Sequence, residues 1–329
     1  MAKTKPPARR STSTESAKAR QRKLQDAASS RKPREVAKKR AVQAGTRGQP
    51  VALPAQHLAK PGDEHALREA PRFEAPDYLG SEKLAGMKAI VTGGDSGIGR
   101  AVAVLFAREG ADVAVLYLSE HKDAKETKVA VEKEGRKCVL ISGDVKDSAF
   151  CKNAVSKAVK ALGGLDVLVN NAAFQLHTED IEDISEEQFQ ETIQTNIGGY
   201  FRMAKAALPH MTEGACIINT GSETGIFGNK DLLDYSATKG AIHAFTLSLA
   251  SNLLPRGIRV NAVAPGPVWT PLNPADKPAK DVAKFGRDSD MKRAAQPEEL
   301  SPAYVFLASP ITASYINGIV LPVMGGPRG

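Results

Sequence analysis

From Met87 onward, short continuous apolar runs alternate with longer stretches in which apolar residues recur every three or four positions. The runs cover 87–92, 112–117, 137–142, 165–170, 215–220, 258–263 and 318–323. They are rich in Val, Ile and Leu with little polar alternation. They read as strands covered on both faces, the environment of a parallel sheet. The stretches at 98–109, 121–135, 147–162, 186–211 and 233–254 carry the period of amphipathic helices. Strand–helix alternation of this spacing predicts a doubly wound α/β fold, three layers thick, with about seven parallel strands in the middle.

Upstream of Met87 this pattern fails. Residues 50–85 hold Pro50, Pro54, Pro61, Pro71 and Pro76, carry Phe73 and Tyr78, and read as an extended arm laid on a folded surface. Residues 1–49 have few bulky aliphatics and carry 15 Lys+Arg against 3 Asp+Glu, which leaves the remainder of the chain at −4. Such a segment buries too little apolar surface to offset its ordering entropy, so it is expected to be a disordered basic tail. The expected plan is a tail at 1–49, an arm at 50–85 and one folded domain at 86–329. The tail's charge suits non-specific contact with nucleic acid or another polyanion. It offers no aromatic residue for base stacking and no DNA-binding motif, which favours a solvated extension.

The remaining composition narrows the setting. Cys138, Cys151 and Cys216 form no metal-ligand spacing and are odd in number, which points to a reduced, cytoplasmic compartment. No window is long and apolar enough for a transmembrane helix, and the amino terminus lacks the apolar core of a secretory signal. No membrane partner is expected. The six histidines are scattered, with no pair at i, i+4, so no metal site is expected either. His177, with Gln175, is the exception to a surface role: both follow the fourth strand, at the sheet edge where ligands bind, and are candidates for substrate contact.

The candidate chemistry lies in two places. Tyr235 and Lys239 are four residues apart, about one helical turn or roughly 6 Å of rise, so the phenol and the ammonium share a face. A free phenol has a pKa of about 10; lowering it by about three units takes about 4 kcal/mol, within reach of a close ammonium in a dry cleft. The hydroxyl of Ser222, thirteen residues upstream, is placed to hold a substrate oxygen beside that tyrosine. The second place is the sequence Thr92-Gly93-Gly94-Asp95-Ser96-Gly97-Ile98-Gly99, between the first strand and the first helix. Its glycines permit a tight turn and a close approach to a pyrophosphate at the helix amino terminus, although the spacing is Gly-x-x-x-Gly-x-Gly.

Thr92 through Gly99, Asn170-Asn171-Ala172, Ser222, Tyr235-x-x-x-Lys239 and Pro265-Gly266 occur in the order of the signatures of the short-chain dehydrogenase/reductase family, which this chain resembles over residues 86–326. Tyr78-Leu79-Gly80-Ser81 and the loop that follows resemble a bacterial subgroup with glucose/ribitol-dehydrogenase-like, aldehyde-reductase-like and general-stress members. The resemblance implies a Rossmann-type domain and reversible hydride transfer between NAD(P) and a carbonyl or alcohol, including aldehydes, ketones, sugars and polyols. It implies that Gly93, Asp95, Ser96, Gly97, Ile98 and Gly99 cradle the coenzyme, with Tyr117 at the tip of the second strand. Asp144 would accept from the adenine amino group with Val145 packed beside it; Asn170 and Ala172 would flank the ribose, and Asn171 would tie the sheet. Pro265, Gly266, Val268 and Thr270 would hold the carboxamide. Tyr235 would transfer the proton, Lys239 would tune it and bind the nicotinamide ribose, and Asn196 would support a proton-relaying water.

Ala173 and Gly221 depart from the family pattern, which often has glycine and serine there. Coenzyme choice turns on Tyr117, which stands where an NAD enzyme places a carboxylate, with Glu120 and His121 just beyond. Loss of that carboxylate relieves a 2′-phosphate of repulsion, while Ser96 stands where NADP-dependent members carry a basic residue. The balance favours NADP over NAD. Glu223 either points into the cleft or caps its loop, and Trp269 either walls the pocket or packs under the charged, proline-rich segment 271–296, which suits a lid. A homotetramer is expected, with the helices of 186–211 and 233–254 pairing across subunits and the arm reaching a neighbour.

Overall fold

The computed structural model describes residues 13–30 and 40–327. Each apolar run contains a strand: β1 (Lys88–Thr92), β2 (Asp112–Tyr117), β3 (Cys138–Ser142), β4 (Val167–Asn170), β5 (Cys216–Thr220), β6 (Arg259–Pro265) and β7 (Val320–Val323). They form one sheet in the order β3-β2-β1-β4-β5-β6-β7, with every pair parallel. At its centre Val91 of β1 faces Val115 of β2 on one side and Val169 of β4 on the other. All three are fully buried, which explains why these strands lack polar alternation. The strand order reverses between β1 and β4, which opens a crevice at the carboxyl ends of these strands.

The helices are α1 (Ser13–Ser29), α2 (Gly97–Arg108), α3 (His121–Lys133), α4 (Ser148–Leu162), α5 (Glu186–Ile193), α6 (Gly199–Ala207), α7 (Thr224–Phe227), α8 (Leu233–Leu253), α9 (Ala279–Val282), α10 (Pro297–Ala308) and α11 (Pro310–Ala313). Helices α2, α3 and α10 pack on one face of the sheet, and α4, α6 and α8 pack on the other. Local sequence sets their ends. Asp147 caps α4 by accepting from the Ala149 N–H at 2.7 Å, and Gly163 closes it in the left-handed region at φ +87°. The stretch expected as one helix over 186–211 is broken by a π turn at Gln194–Gly198 and by Pro209 in a terminal 3-10 turn.

Helix α10 escapes the periodic reading because Pro297 and Pro302 look like breakers. Pro297 sits in the first turn, where no N–H is needed, and the Glu298 carbonyl accepts instead from the Ser301 hydroxyl at 3.5 Å.

The flanks differ from their expected plan. The expected disorder of 1–49 falls partly on residues 1–12 and 31–39, which lie outside the described residues. Ser13–Ser29 form α1, a segment of Ala, Lys, Arg, Gln and Glu with no Gly or Pro inside it, so intrinsic propensity favours the helix. Residues 41–49, placed by their composition in the tail, lie on the folded domain. Val42 donates to the Met291 carbonyl at 2.8 Å, and Arg47 and Gln49 both reach the Glu298 carboxylate. Residues 41–49 thus pack on the domain together with the arm, where Ala75 N–H also donates to Glu298 at 3.0 Å.

Candidate active site

The crevice is a cleft of about 540 Å³ that runs from the tip of β2 to the amino-terminal end of α8. Its floor is the turn from β1 into α2. Gly97 has φ +49°, and a Cβ on Gly99 would lie 2.0 Å from the Gly93 carbonyl oxygen, so the turn closes this tightly only with glycine at both positions. The arm supplies an unforeseen part of this floor. The Glu64 carboxylate accepts from the Gly97 N–H at 2.6 Å and pairs with Arg100 at 2.7 Å, both side chains being buried. Among the described residues, the N–H groups of Ile98 and Gly99 have no protein acceptor, and they open the positive end of α2 to an anion. This cradle fits the pyrophosphate of a nicotinamide dinucleotide.

At the β2 end, the Tyr117 hydroxyl meets His121 Nδ1 at 2.9 Å, and Asp95 and Glu120 line the cleft together. Burial pushes the Asp95 carboxyl up to about 7, and the Glu120 charge pushes the same way. Arg100 is spent on Glu64, Thr127 and the Asp95 and Asp123 carbonyls. Asp144 and Val145 line the cleft, as do Gly93, Ser96, Gly97, Ile98, Ala172, Pro265, Gly266, Val268 and Thr270. Gly99 lies just beneath. Asn170 does not line the cleft: it is fully buried between strands and donates to Asn219 Oδ1 at 3.0 Å. Strand alternation turns it inward, and Asn171 faces the cleft while its amide ties the carbonyls of Thr92 and Gly93 at 3.1 Å.

Ser222, Tyr235 and Lys239 converge at the far end of the cleft. Tyr235 and Lys239 come from the first two turns of α8, and Ser222 from the loop after β5. Burial holds the Tyr235 phenol well above its ordinary value; the Ser222 hydroxyl draws it down, and the charges of Glu223 and Asp276 draw it up. Burial also lowers the Lys239 ammonium to about 7. Its Nζ donates to the Thr220 carbonyl at 2.8 Å and stands 5.3 Å from the Tyr235 ring centre. The shared face is therefore present, but in this structure desolvation outweighs the ammonium at the phenol.

The other expected participants divide. Asn196 is fully buried outside the cleft and clamps Phe174, accepting from its N–H at 2.8 Å and donating to its carbonyl at 2.9 Å; its amide also donates to Thr238. Its side chain holds the loop after β4. Gly221 has a local reason: a Cβ there would lie 2.3 Å from His243 Nε2, the ring that accepts from the Ser222 N–H.

Gln175 and His177 line the cleft and are both anchored on Asp276, Gln175 Nε2 at 2.9 Å and His177 through its ring and its N–H. From the arm, Lys60 donates to the Gln175 carbonyl at 2.5 Å and also lines the cleft. Trp269 is fully buried away from the cleft. Its Nε1 donates to the Glu69 carbonyl at 2.9 Å, and it packs with Leu53, Leu67 and Val282 under the 271–296 segment. Lys60 and Glu64 gave no sequence signal, because nothing in an irregular arm announces which charges turn inward. Asp63, His65 and Asp123 cluster at the arm's base, but His65 and the arm backbone already bond to Asp123.

A dinucleotide crevice that ends on a tyrosine, a serine and a lysine is built to move hydride and proton between a nicotinamide and a substrate carbon. This is an NAD(P)-dependent oxidoreductase of CH–OH and C=O groups. The chain belongs to the short-chain dehydrogenase/reductase family: residues 93–327 match the family model described as "Enoyl-(Acyl carrier protein) reductase". It is 52% identical over 278 residues to general stress protein 39 of Bacillus subtilis (strain 168), covering 84% of this chain and 97% of that one. It is 48% identical to NADPH-dependent aldehyde reductase 1, chloroplastic, of Arabidopsis thaliana (82% and 96% covered) and to glucose and ribitol dehydrogenase of Daucus carota (83% and 96%). A short chain dehydrogenase from Burkholderia cenocepacia J2315, solved in complex with NADP, superposes with a TM-score of 0.70 at 33% identity, covering 75% of this chain and 100% of that one.

Proposed function

We propose that this oxidoreductase interconverts a small polar aldehyde or ketone and its alcohol, with Ser222, Tyr235 and Lys239 as the working groups. The observation that carries the reading is the convergence of these three on one desolvated end of the coenzyme crevice. The nicotinamide, when bound, supplies or accepts the hydride. Ser222 holds the substrate oxygen. Tyr235, kept protonated by burial, gives its proton to that oxygen in reduction and takes it back in oxidation. Lys239, fixed by the Thr220 carbonyl, stands behind the phenol and binds the nicotinamide ribose. Asn196 positions the Phe174 loop that borders the substrate.

The small-polar-substrate reading rests on Lys60, Gln175, His177, Asn229 and Lys277, which line the cleft beyond the catalytic serine. The NADP reading rests on Tyr117, which leaves no carboxylate at the tip of β2, and on similarity to a reductase named NADPH-dependent. A second reading, an NAD-dependent sugar or polyol dehydrogenase, is favoured by the paired carboxyls of Asp95 and Glu120, which would repel a 2′-phosphate. It also draws on likeness to a glucose and ribitol dehydrogenase. A turnover screen of aldehydes, ketones, sugars and polyols with both coenzymes tests the proposal. Absence of turnover on all four classes would refute it.

The exposed faces of Phe201 on α6, Phe227 on α7 and Leu247 on α8 support a homotetramer in which these helices pair between subunits. Light scattering that reports a monomer at micromolar concentration would refute the assembly. Three buried free cysteines support a reducing compartment, the cytoplasm, and the excess basic charge of the tail supports at most a non-specific polyanion contact. No described helix is long and apolar enough to cross a membrane.

A further inference from the structure

Every amide of the turn from Ser222 to Gly225 is bonded. The N–H of Ser222 donates to His243 Nε2 at 3.4 Å, that of Glu223 to the Pro265 carbonyl at 2.8 Å and that of Gly225 to the Ser222 carbonyl at 3.0 Å. The N–H of Thr224 donates to the Ser222 hydroxyl oxygen at 3.1 Å, and the Thr224 hydroxyl donates to the same oxygen at 3.1 Å. His243 stands one turn beyond Lys239 on α8, and its ring fills space that side chains on Gly221 and Gly225 would take. With the backbone fixed in this way, rotation of the Ser222 hydroxyl is the freedom that remains. A hydroxyl has one proton and two acceptor positions, and Thr224 occupies both acceptor positions. The Ser222 proton is left to point away from Thr224, and Tyr235 is the group it meets. Burial raises the Tyr235 phenol, and the Ser222 hydroxyl opposes this, as a donor to the phenolate oxygen does. Thr224 and Glu223 both line the cleft, and among the described residues the Thr224 hydroxyl has no other hydrogen-bond partner.

We propose that Thr224 is a positioning residue that commits the Ser222 hydroxyl to donating. With both acceptor positions taken, Ser222 offers the substrate oxygen only its proton, beside the proton of Tyr235. Two fixed donors on one oxygen stabilise the partial negative charge that this oxygen carries in the transition state of either direction. Without the Thr224 hydroxyl, Ser222 regains an open acceptor position and part of its rotation, and the alignment must be recovered in each turnover. The inference rests on the proposed carbonyl–alcohol function and adds to it.

Thr224→Val keeps the shape of the side chain and removes its donor. The assay uses full-length protein and whichever of glyceraldehyde, propanal, acetone, glucose and ribitol wild type turns over fastest. In the Val variant kcat should fall roughly fivefold, the worth of one hydrogen bond. KM and coenzyme Kd should stay within about twofold, and the melting temperature within about 2 °C, because the bonded amides of the turn remain. Thr224→Ser, which returns the hydroxyl without the methyl, should recover most of the lost kcat. A Val variant with kcat equal to wild type overturns the inference, and so does a higher kcat, which would mean that Ser222 gives its proton to Thr224. A loss that appears in KM assigns Thr224 to the substrate itself. A loss that Ser does not recover, or that comes with a melting temperature several degrees lower, assigns it to packing. Both results overturn the inference and leave the proposed function intact. Wild type inert toward the whole panel refutes the function itself.

Discussion

Glu64 is the residue through which the arm meets the coenzyme loop, and Glu64→Ala separates the two. In the wild type its carboxylate pairs with Arg100 at 2.7 Å and accepts from the Gly97 N–H at 2.6 Å. Removing one partner of a buried pair costs about 3–5 kcal/mol. The lower end applies here, since Arg100 keeps its bonds to Thr127 and to the Asp95 and Asp123 carbonyls. About 3 kcal/mol corresponds to a melting temperature lower by about 6 °C in a domain of this size. Burial raises the Glu64 carboxyl from 4.5 to about 7, against the pull of Arg100 and the Gly97 N–H. The folded state therefore holds a proton that the unfolded chain has released. The group's contribution to stability is full below 4.5 and is lost as pH rises through 7. The substitution should accordingly cost about 1 kcal/mol more at pH 6 than at pH 8. Coenzyme affinity, followed by fluorescence titration, should fall roughly fivefold, the worth of one preorganising hydrogen bond. Tighter coenzyme binding in the variant would refute the reasoning, because it would show the carboxylate competing with the pyrophosphate instead of shaping its cradle.

Tyr235→Phe keeps the ring and its packing but loses the transferable proton, so kcat should collapse while coenzyme Kd stays within a few-fold; near wild-type turnover would dismiss the tyrosine mechanism. Glu120→Gln removes one of the two carboxyls at the β2 end of the cleft and should raise the kcat/KM ratio of NADPH over NADH by roughly tenfold, about 1.4 kcal/mol of relieved repulsion. An unchanged ratio would mean that Glu120 lies outside the reach of the 2′ position. Deletion of residues 2–40 should leave kcat/KM unchanged, because among the described residues the arm's hydrogen bonds to the domain start at Val42. A truncated protein with most of its activity lost would assign the tail a role in the site.

Much of this architecture was legible because burial on both faces of a parallel sheet leaves a plain trace, a run rich in Val, Ile and Leu with little polar alternation. All seven runs hold strands, and their ends differ by at most two residues. The convergence of the proposed trio was legible because two of its members are one turn apart in a single helix. What escaped is long-range and polar. Asn170 and Asn171 are neighbours of one residue type, and only the strand's alternation decides which faces the cleft. Asn196 carries a familiar position yet spends its amide on Phe174, because a π turn aims it there. Lys60 and Glu64 sit in a segment without periodicity, so no rule of spacing reports that one reaches the substrate end and the other the coenzyme loop. Residues 41–49 read as tail because composition is blind to Arg47 and Gln49 sharing one buried carboxylate, Glu298.

The arm and the 271–296 segment behave as one mechanical unit, and this bears on how the site closes. Trp269 is fully buried between them, bonded to the Glu69 carbonyl and packed with Leu53, Leu67 and Val282. Leu58 N–H of the arm donates to the Pro274 carbonyl, and Lys60 rests on Gln175, which is itself bonded to Asp276. Swinging the whole segment open would return these apolar side chains to water, at about 1.5–3 kcal/mol each. That exceeds the few kcal/mol that separate the open and closed states of a working lid. Any opening must therefore carry the arm with it or be confined to the outer turns, beyond the Trp269 cluster. Because the same arm holds Glu64 under Gly97, a motion at the substrate end is felt at the coenzyme loop, and the two halves of the cleft are joined by one strap.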